Sequence, residues 1–205
     1  AIEYGAPQDR DRIFLFAIKK ELVNKGLSDL NITDQFNWKK FLCADRDEVL
    51  SNTAWPSEEK FEADSCTVSE DYIPDDLKRL TVQFWFDKNN VISHPNASHC
   101  FKPKSDKFSI IKEGDDSKKS FKRLHRWRYS PTAAYGNNEV HLHPYKARRL
   151  SAAEALAIQS LPANFFLPPD MTLSDMFKTI GNGVPYLAAK GLAMTVADFF
   201  ENHVY

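Results

Sequence analysis

The chain has 205 residues, of which 42% are hydrophobic, 13% aromatic and 27% charged, with a formal net charge of −1. These values exclude a disordered tail and a membrane protein, and the length suits one large domain or a small domain plus part of another. No apolar run is long enough to span a bilayer, and no basic-then-apolar leader opens the chain, so no signal peptide is expected.

Charge is unevenly spread. The stretch from Asp45 to Asp76 is acidic, whereas Lys118 to Arg149 is basic with Glu139 as its sole carboxylate. Such asymmetry can conceal a nucleic-acid face inside a neutral average, although two solvated surfaces of opposite sign read the same way. The three cysteines, Cys43, Cys66 and Cys100, form no CxxC pair, which points to a reducing compartment. The chain begins at Ala1 inside a patterned segment, and we read it as a piece of a longer polypeptide.

In chain order, Arg12 to Ile18 (RIFLFAI) is a short aromatic-rich apolar run that predicts a buried strand. Lys19 to Gly26 predicts an edge or a short helix stopped by Gly26. Residues 27–117 read as irregular, with a short helix over Phe36 to Leu42, a strand over Leu80 to Phe86 and another over Phe108 to Ile111. Regularity returns at Ser151, where Ser151 and Glu154 have capping-box spacing and predict a helix ending near Pro162. A second helix is predicted over Ser174 to Ile180, stopped by Gly181, and a third over Pro185 to His203. The third is apolar on most sides in its first half and so predicted to be buried.

Three motifs carry chemistry. Tyr4 to Arg12 reads YGAPQDRDR; a Gly and Pro turn leads into Arg10 and Arg12, whose spacing in a strand puts both on one face, fit for a phosphate or a polar base edge. Their alternative use is an ion pair with Asp9 or Asp11. Ser130-Pro131-Thr132 precedes Arg148-Arg149-Leu150-Ser151 and the capped helix. Gly181-Asn182-Gly183-Val184-Pro185 forms a turn between two helices.

Together and in this order, the motifs resemble the bacterial and phage DNA (cytosine-5)-methyltransferases. That family has a YGxPQxRxR segment, a variable target-recognition region, an SPT-like segment, an RxLT/S…E…Q…P helix and a GNxVP turn. This chain matches at Tyr4 to Arg12, at Ser130 to Thr132, at Arg148, Leu150, Ser151, Glu154, Gln159 and Pro162, and at Gly181 to Pro185. The family's nucleophile is a cysteine preceded by proline. Here Leu42, Ser65 and His99 precede the cysteines, and the Gly-rich donor loop and the Glu-Asn-Val segment are absent as well. In the family all three lie N-terminal to YGxPQxRxR.

The resemblance implies an α/β fold: residues 1–20 and 148–205 in a catalytic domain, and residues 21–147 as an inserted, loop-rich recognition domain. It implies transfer of a methyl group from S-adenosylmethionine to C5 of a flipped cytosine in duplex DNA, with these residues inactive alone. Arg12 would contact the flipped base, with Arg10 supporting it; Asn182, Gly183 and Val184 would close over the methyl donor. Gln8, Arg148, Ser151 and Glu154 would be structural, Arg148 bracing the recognition region and Glu154 capping its helix. A bacterial or phage-encoded cytoplasmic enzyme is implied, with duplex DNA and the N-terminal methyltransferase portion as partners. Because strand partners of Arg12 to Ile18 belong to that portion, we expect exposed apolar surface near residues 12–18 and 187–197.

For DNA, Lys118, Lys119, Lys122, Arg123, Arg126 and Arg128 form a basic arm with Trp127 and Tyr129 interleaved, and Thr132 follows beside the backbone. Trp127 and Tyr129 have core packing as their alternative. Tyr135, Asn137 and Asn138 lie in a short turn suited to base edges. His94, His99, Cys100, His125, His141 and His143 lack tight ligand spacing, so no metal site is expected. Two other readings stand beside this one: a stand-alone DNA-binding module, and a metal-dependent nuclease using His141 and His143.

Overall fold

The computed structural model describes residues 1–19, 21, 35–65, 67–133, 135 and 139–203. Its helices there are α1 (Arg46–Ser51), α2 (Asp75–Lys78), α3 (Val82–Lys88), α4 (Lys107–Ile110), α5 (Ala152–Ile158), α6 (Leu173–Asn182) and α7 (Tyr186–His203), with 3-10 turns at Ile2–Tyr4 and Glu70–Tyr72. Among the described residues, β structure is limited to isolated bridges such as Gln8 with Ser130 and Leu142 with Arg149. The sheet of the expected α/β fold is therefore not formed by these residues.

The core is built around α5. Ser151 Oγ accepts from Glu154 N at 3.3 Å, and Ser151 N donates to Glu154 Oε2 at 2.7 Å, completing the predicted capping box. All seven helical residues, AAEALAI, are buried. The small alanines let α5 pack against both α3 and α6. Val82, Trp85 and Phe86 enter from α3, and Met176, Phe177 and Ile180 from α6. Packing is continuous across residue 148, since Leu124, Tyr135 and Val140 share this core with Leu150 and Leu156.

Two segments predicted as strands are helical. Leu80 to Phe86 alternates, but Val82, Trp85 and Phe86 are also spaced i, i+3, i+4, and all three are buried on one helical stripe. Thr81 settles the choice by accepting from Phe84 N at 3.2 Å as an N-cap. Phe108 to Ile110 lie in the short α4, with Ile111 as its extended C-cap, Phe108 buried and Ile110 71% exposed. Residues 37–41 form successive turns rather than the expected helix, with Lys40 N bonded to Asn37 O and Leu42 N to Lys39 O. Most of the Lys19 to Gly26 segment lies outside the described residues. The second C-terminal helix runs through Gly181 to Asn182 before Gly183 ends it.

Arg12 to Ile18 is extended but pairs with no strand among the described residues. It alternates: Phe14, Phe16 and Ile18 are half-buried, while Ile13 is 98% and Leu15 94% exposed. Phe16 stacks on Phe36 at 4.4 Å and meets Phe199 of α7 edge-on at 5.5 Å. The predicted burial of this run is therefore not met: one side is half-buried and the other carries exposed apolar surface. α7 behaves likewise: Ala188, Gly191, Thr195 and Phe199 are buried, whereas Ala189, Ala193 and Met194 face solvent. Gly191 is the notch for Tyr4, because a Cβ at that position would overlap the tyrosine ring. No helix among the described residues is long and apolar enough to cross a membrane.

Candidate active site

The YGAPQDRDR segment is fixed first by its backbone. Ser130 N donates to Pro7 O at 2.8 Å, and Asp9 N to Ser130 O at 2.9 Å. Thr132 Oγ1 donates to Asp9 O at 2.8 Å, so Thr132 ties the two motifs together while remaining exposed. Gln8 is fully buried; its Oε1 accepts from Ala133 N at 3.3 Å and from Arg10 Nη1 at 3.4 Å, and its Nε2 reaches Ile158 O at 3.5 Å.

Arg10 and Arg12 do different things. Arg10 is 1% exposed and donates to Ala133 O at 2.9 Å and to Gly181 O at 2.5 Å. It joins the first motif to the last. Burial, and then the neighbouring Arg12, bring its pKa down to about 10, which still leaves it charged at neutral pH. Arg12 is exposed, and among the described residues its Nη1 donates only to Asp11 O, at 2.7 Å. Neither pairs with Asp9 or Asp11. Those carboxylates take Arg46 of α1, at 2.9 Å from Asp9 and 3.4 Å from Asp11. Sequence reasoning missed Arg46, since nothing local marks an arginine 35 residues away as a partner of this motif.

These groups surround a cleft of about 360 Å³. Its lining includes Arg10, Asp11, Arg12 and Arg46, the aromatic rings of Tyr4, Phe14 and Trp38, Lys39, and Val184 and Pro185. Asn182 and Val184 are exposed and Gly183 is half-buried. Gly181 sits tightly, as a Cβ there would lie 2.9 Å from Tyr135 N. The cleft therefore brings Arg12 together with Val184 and Pro185.

The basic arm divides. Lys118 and Lys119 are exposed, and Lys122 and Arg128 half-buried. Arg123 is buried: it donates to Ile111 O at 2.8 Å, to His143 O at 2.5 Å and to Phe108 O, and lies 3.9 Å from the Phe61 ring centroid. Arg126 grips both oxygens of buried Glu113, at 3.0 and 2.9 Å. Their assignment to DNA phosphates is corrected, because guanidiniums committed to buried carbonyls and a carboxylate are not presented to a duplex. Trp127 donates to Val68 O at 3.0 Å, and Tyr129 packs edge-on against Trp55 at 5.3 Å, so both take their packing role.

Tyr135 is likewise corrected. It is 2% exposed, packs edge-on against His141 and Phe177, and burial pushes its hydroxyl pKa up. Asn137 and Asn138 lie outside the described residues.

Three of the histidines are tied into local backbone turns. Nδ1 of His94, His125 and His143 each accepts the backbone N–H two residues on, from Asn96, Trp127 and Tyr145 respectively. That fixes the proton on Nε2, which faces Phe165 O, Glu59 and Glu154. Among the described residues no group of three His, Cys, Asp or Glu could hold a metal ion.

Glu154 does more than cap a helix. Arg148 clasps it bidentately at 2.8 and 2.7 Å, and His143 Nε2 approaches at 3.4 Å. Although burial opposes ionisation, these partners hold the Glu154 carboxyl far below its ordinary range. Burial pushes His141 down to about 3, helped by Lys122 and Arg149, and lowers His125 and His143. All four shifts act in one direction. Folding stability is complete above the unfolded histidine pKa of about 6.5 and falls as pH drops, with Glu154 adding to the loss below about 4.3. His141 alone should cost about 2 kcal/mol between pH 6.5 and 5. Melting curves across that interval should show it, and His141→Phe should flatten the slope; an unchanged slope would remove His141 from the account.

Compared with known proteins, residues 1–197 match the family described as C-5 cytosine-specific DNA methylase. The Type II methyltransferase M.NmeDI of Neisseria meningitidis serogroup C is 54% identical over 99% of this chain and 45% of its own length. M.HgiDII of Herpetosiphon aurantiacus, a Type II methylase, is 26% identical over 97% of this chain and 54% of its own. M.DdeI of Desulfomicrobium norvegicum, a Type II methyltransferase, is 23% identical over 98% and 54%. The chain spans about half the length of these relatives. It belongs to the C-5 cytosine-specific DNA methylase family.

Proposed function

We propose that these residues supply target recognition and one wall of the base and cofactor pocket in an enzyme that methylates C5 of cytosine in duplex DNA. The observation that carries the reading is the cleft, in which exposed Arg12 and the exposed Val184 rim face a common space while buried Arg10 bolts the two motifs together. In the complete protein we assign an α/β catalytic domain to residues 1–20 and 148–205 plus the N-terminal portion, with residues 21–147 as the inserted recognition domain. A bacterial cytoplasmic setting goes with that assignment.

Arg12 is the group assigned to the flipped cytosine. A fixed cation beside the pyrimidine orients the ring and favours charge building on its carbonyl. Arg10 keeps that strand end in register without touching the base. Lys118, Lys119, Lys122, Arg128 and Thr132 remain the assigned contacts to the DNA backbone.

The residues present fit one rim of a donor site. Val184 lines the cleft and offers apolar surface at 42% exposure, and Asn182, two residues before it, is exposed. When bound, S-adenosylmethionine supplies the methyl group. Asn182, Gly183 and Val184 would hold it from this side, and Pro185 and Phe14 help exclude water.

No cysteine of the chain follows a proline. The 205 residues alone should therefore transfer no labelled methyl group to cytosine-containing duplex. Transfer should appear when a segment bearing the Pro-Cys and Gly-rich motifs is supplied. Clear C5 labelling by the 205 residues alone would overturn the assignment.

A further inference from the structure

The end of α5 carries a residue type that its backbone does not ask for. Ser160 N donates to Ala157 O at 2.8 Å and Leu161 N to Leu156 O at 3.2 Å, the paired bonds of a Schellman closure. That places Ser160 in the left-handed position, with φ of 55°. Glycine takes this conformation without steric cost, whereas serine must crowd its Cβ.

The serine hydroxyl makes two bonds that glycine could not. It donates to Gln159 O at 2.7 Å and accepts from Leu187 N, in the first turn of α7, at 3.1 Å. Gln159 acts beside it. Its carbonyl accepts from Tyr186 N at 2.8 Å, and its Nε2 donates to Ile180 O at 2.5 Å. Both side chains belong to residues only 2% exposed. One dipeptide thus holds the residue just before the 181–185 turn and the two residues just after it. Between those anchors, Val184 and Pro185 line the cleft.

We infer that Gln159 and Ser160 form a positioning clamp that sets the shape of the Gly181 to Pro185 turn, and through it the affinity for S-adenosylmethionine. This rests on the reading of Asn182 to Val184 as the donor rim. The clamp touches neither donor nor DNA. Its loss should change donor affinity separately from DNA affinity, whereas loss of a merely structural residue would lower both along with stability.

The test uses the complete methyltransferase carrying these residues, with S-adenosylhomocysteine as the calorimetric probe. Ser160→Ala removes only the hydroxyl, so Kd should rise about fivefold, the size of one lost capping bond. DNA affinity should stay within about twofold, and amides 186 and 187 should exchange faster. Ser160→Asn, which tolerates the left-handed backbone and keeps an acceptor, should restore much of the affinity. Should Ser160→Ala fold poorly, Ser160→Gly removes the hydroxyl without backbone strain and is measured instead. Val184→Ala separates the two layers of the inference. If it weakens binding while the Ser160 variants do not, the clamp is refuted and the rim stands. If Val184→Ala has no effect, the rim reading fails and the clamp's role falls with it. A parallel loss of donor affinity, DNA affinity and melting temperature would also refute the clamp.

Discussion

Glu154→Ala should lower folding stability by about 4 kcal/mol, a large share of the roughly 5–15 kcal/mol that holds a typical domain together. Two costs combine. The capping box loses the acceptor for Ser151 N, at about 1 kcal/mol. The larger cost is electrostatic. Glu154 is 3% exposed, and its removal leaves Arg148 and the His143 Nε2–H facing an empty, buried space. Glu154→Gln should cost less, because an amide oxygen can still cap Ser151 N. Removing both ionic partners with Arg148→Met and Glu154→Met should cost less than the two single losses added together. Urea unfolding of the parent, the two Met single variants and the double variant gives the cycle directly. A single-variant cost under about 1 kcal/mol would show that α5 is held by its alanine packing alone.

The same helix shows what the sequence could reveal. Ser151 and Glu154 announce a local bond pattern that depends on spacing alone, so capping box and helix start were both readable. α7 was readable as well, since Tyr186 to His203 has no internal breaker besides Gly191. α3 was not. LTVQFWF satisfies a period of two and a stripe of i, i+3, i+4 at once, and only the docking of Trp85 and Phe86 against α5 separates them. Arg12 to Ile18 reads as a buried strand, but it pairs with no strand among the described residues, and only Phe14, Phe16 and Ile18 are half-buried. Its other face stays bare because strand pairing is a long-range property.

The site was legible where motif order sufficed and illegible where charge had to be placed in space. Arg10, Arg12, Val184 and Pro185 line one cleft, and Arg10 bonds to Gly181 O. Yet the spacing that suggested equal roles for Arg10 and Arg12 hides the carbonyls of Ala133 and Gly181, which claim Arg10 alone. Arg123 and Arg126 look like members of a basic arm because their acceptors, among them Phe108 O, His143 O and Glu113, come from distant parts of the chain. No composition count distinguishes a lysine in solvent from an arginine that is a buried cross-brace. Ser160 left no signal at all; a serine after a helix is ordinary until its φ is known.

In the complete enzyme, Arg12→Ala should reduce methylation turnover about 10²–10³-fold, the usual scale for deleting one donor aimed at developing charge. DNA affinity should change by no more than about threefold. Arg12 is exposed at the cleft, and among the described residues its Nη1 donates to its neighbour's carbonyl, Asp11 O. Nothing in the core depends on it, so the variant should melt with the parent enzyme. Arg10→Ala is the contrast. It strips two carbonyls of their partner and should lower stability along with turnover. Affinity for duplex comes chiefly from phosphate neutralisation by exposed cations, here assigned to Lys118 and Lys119, and each lost contact should reduce the log–log salt slope by roughly one unit. Arg12→Ala should leave that slope nearly unchanged. Arg12→Lys should recover only part of the rate, because a point charge cannot reproduce the planar fork against a pyrimidine edge. Single-turnover rates and duplex binding, each measured at several salt concentrations, separate these terms. If binding and turnover fell in proportion, Arg12 would be a phosphate contact, and the group acting on the base would have to be sought among the other cations of the cleft, Lys39 and Arg46.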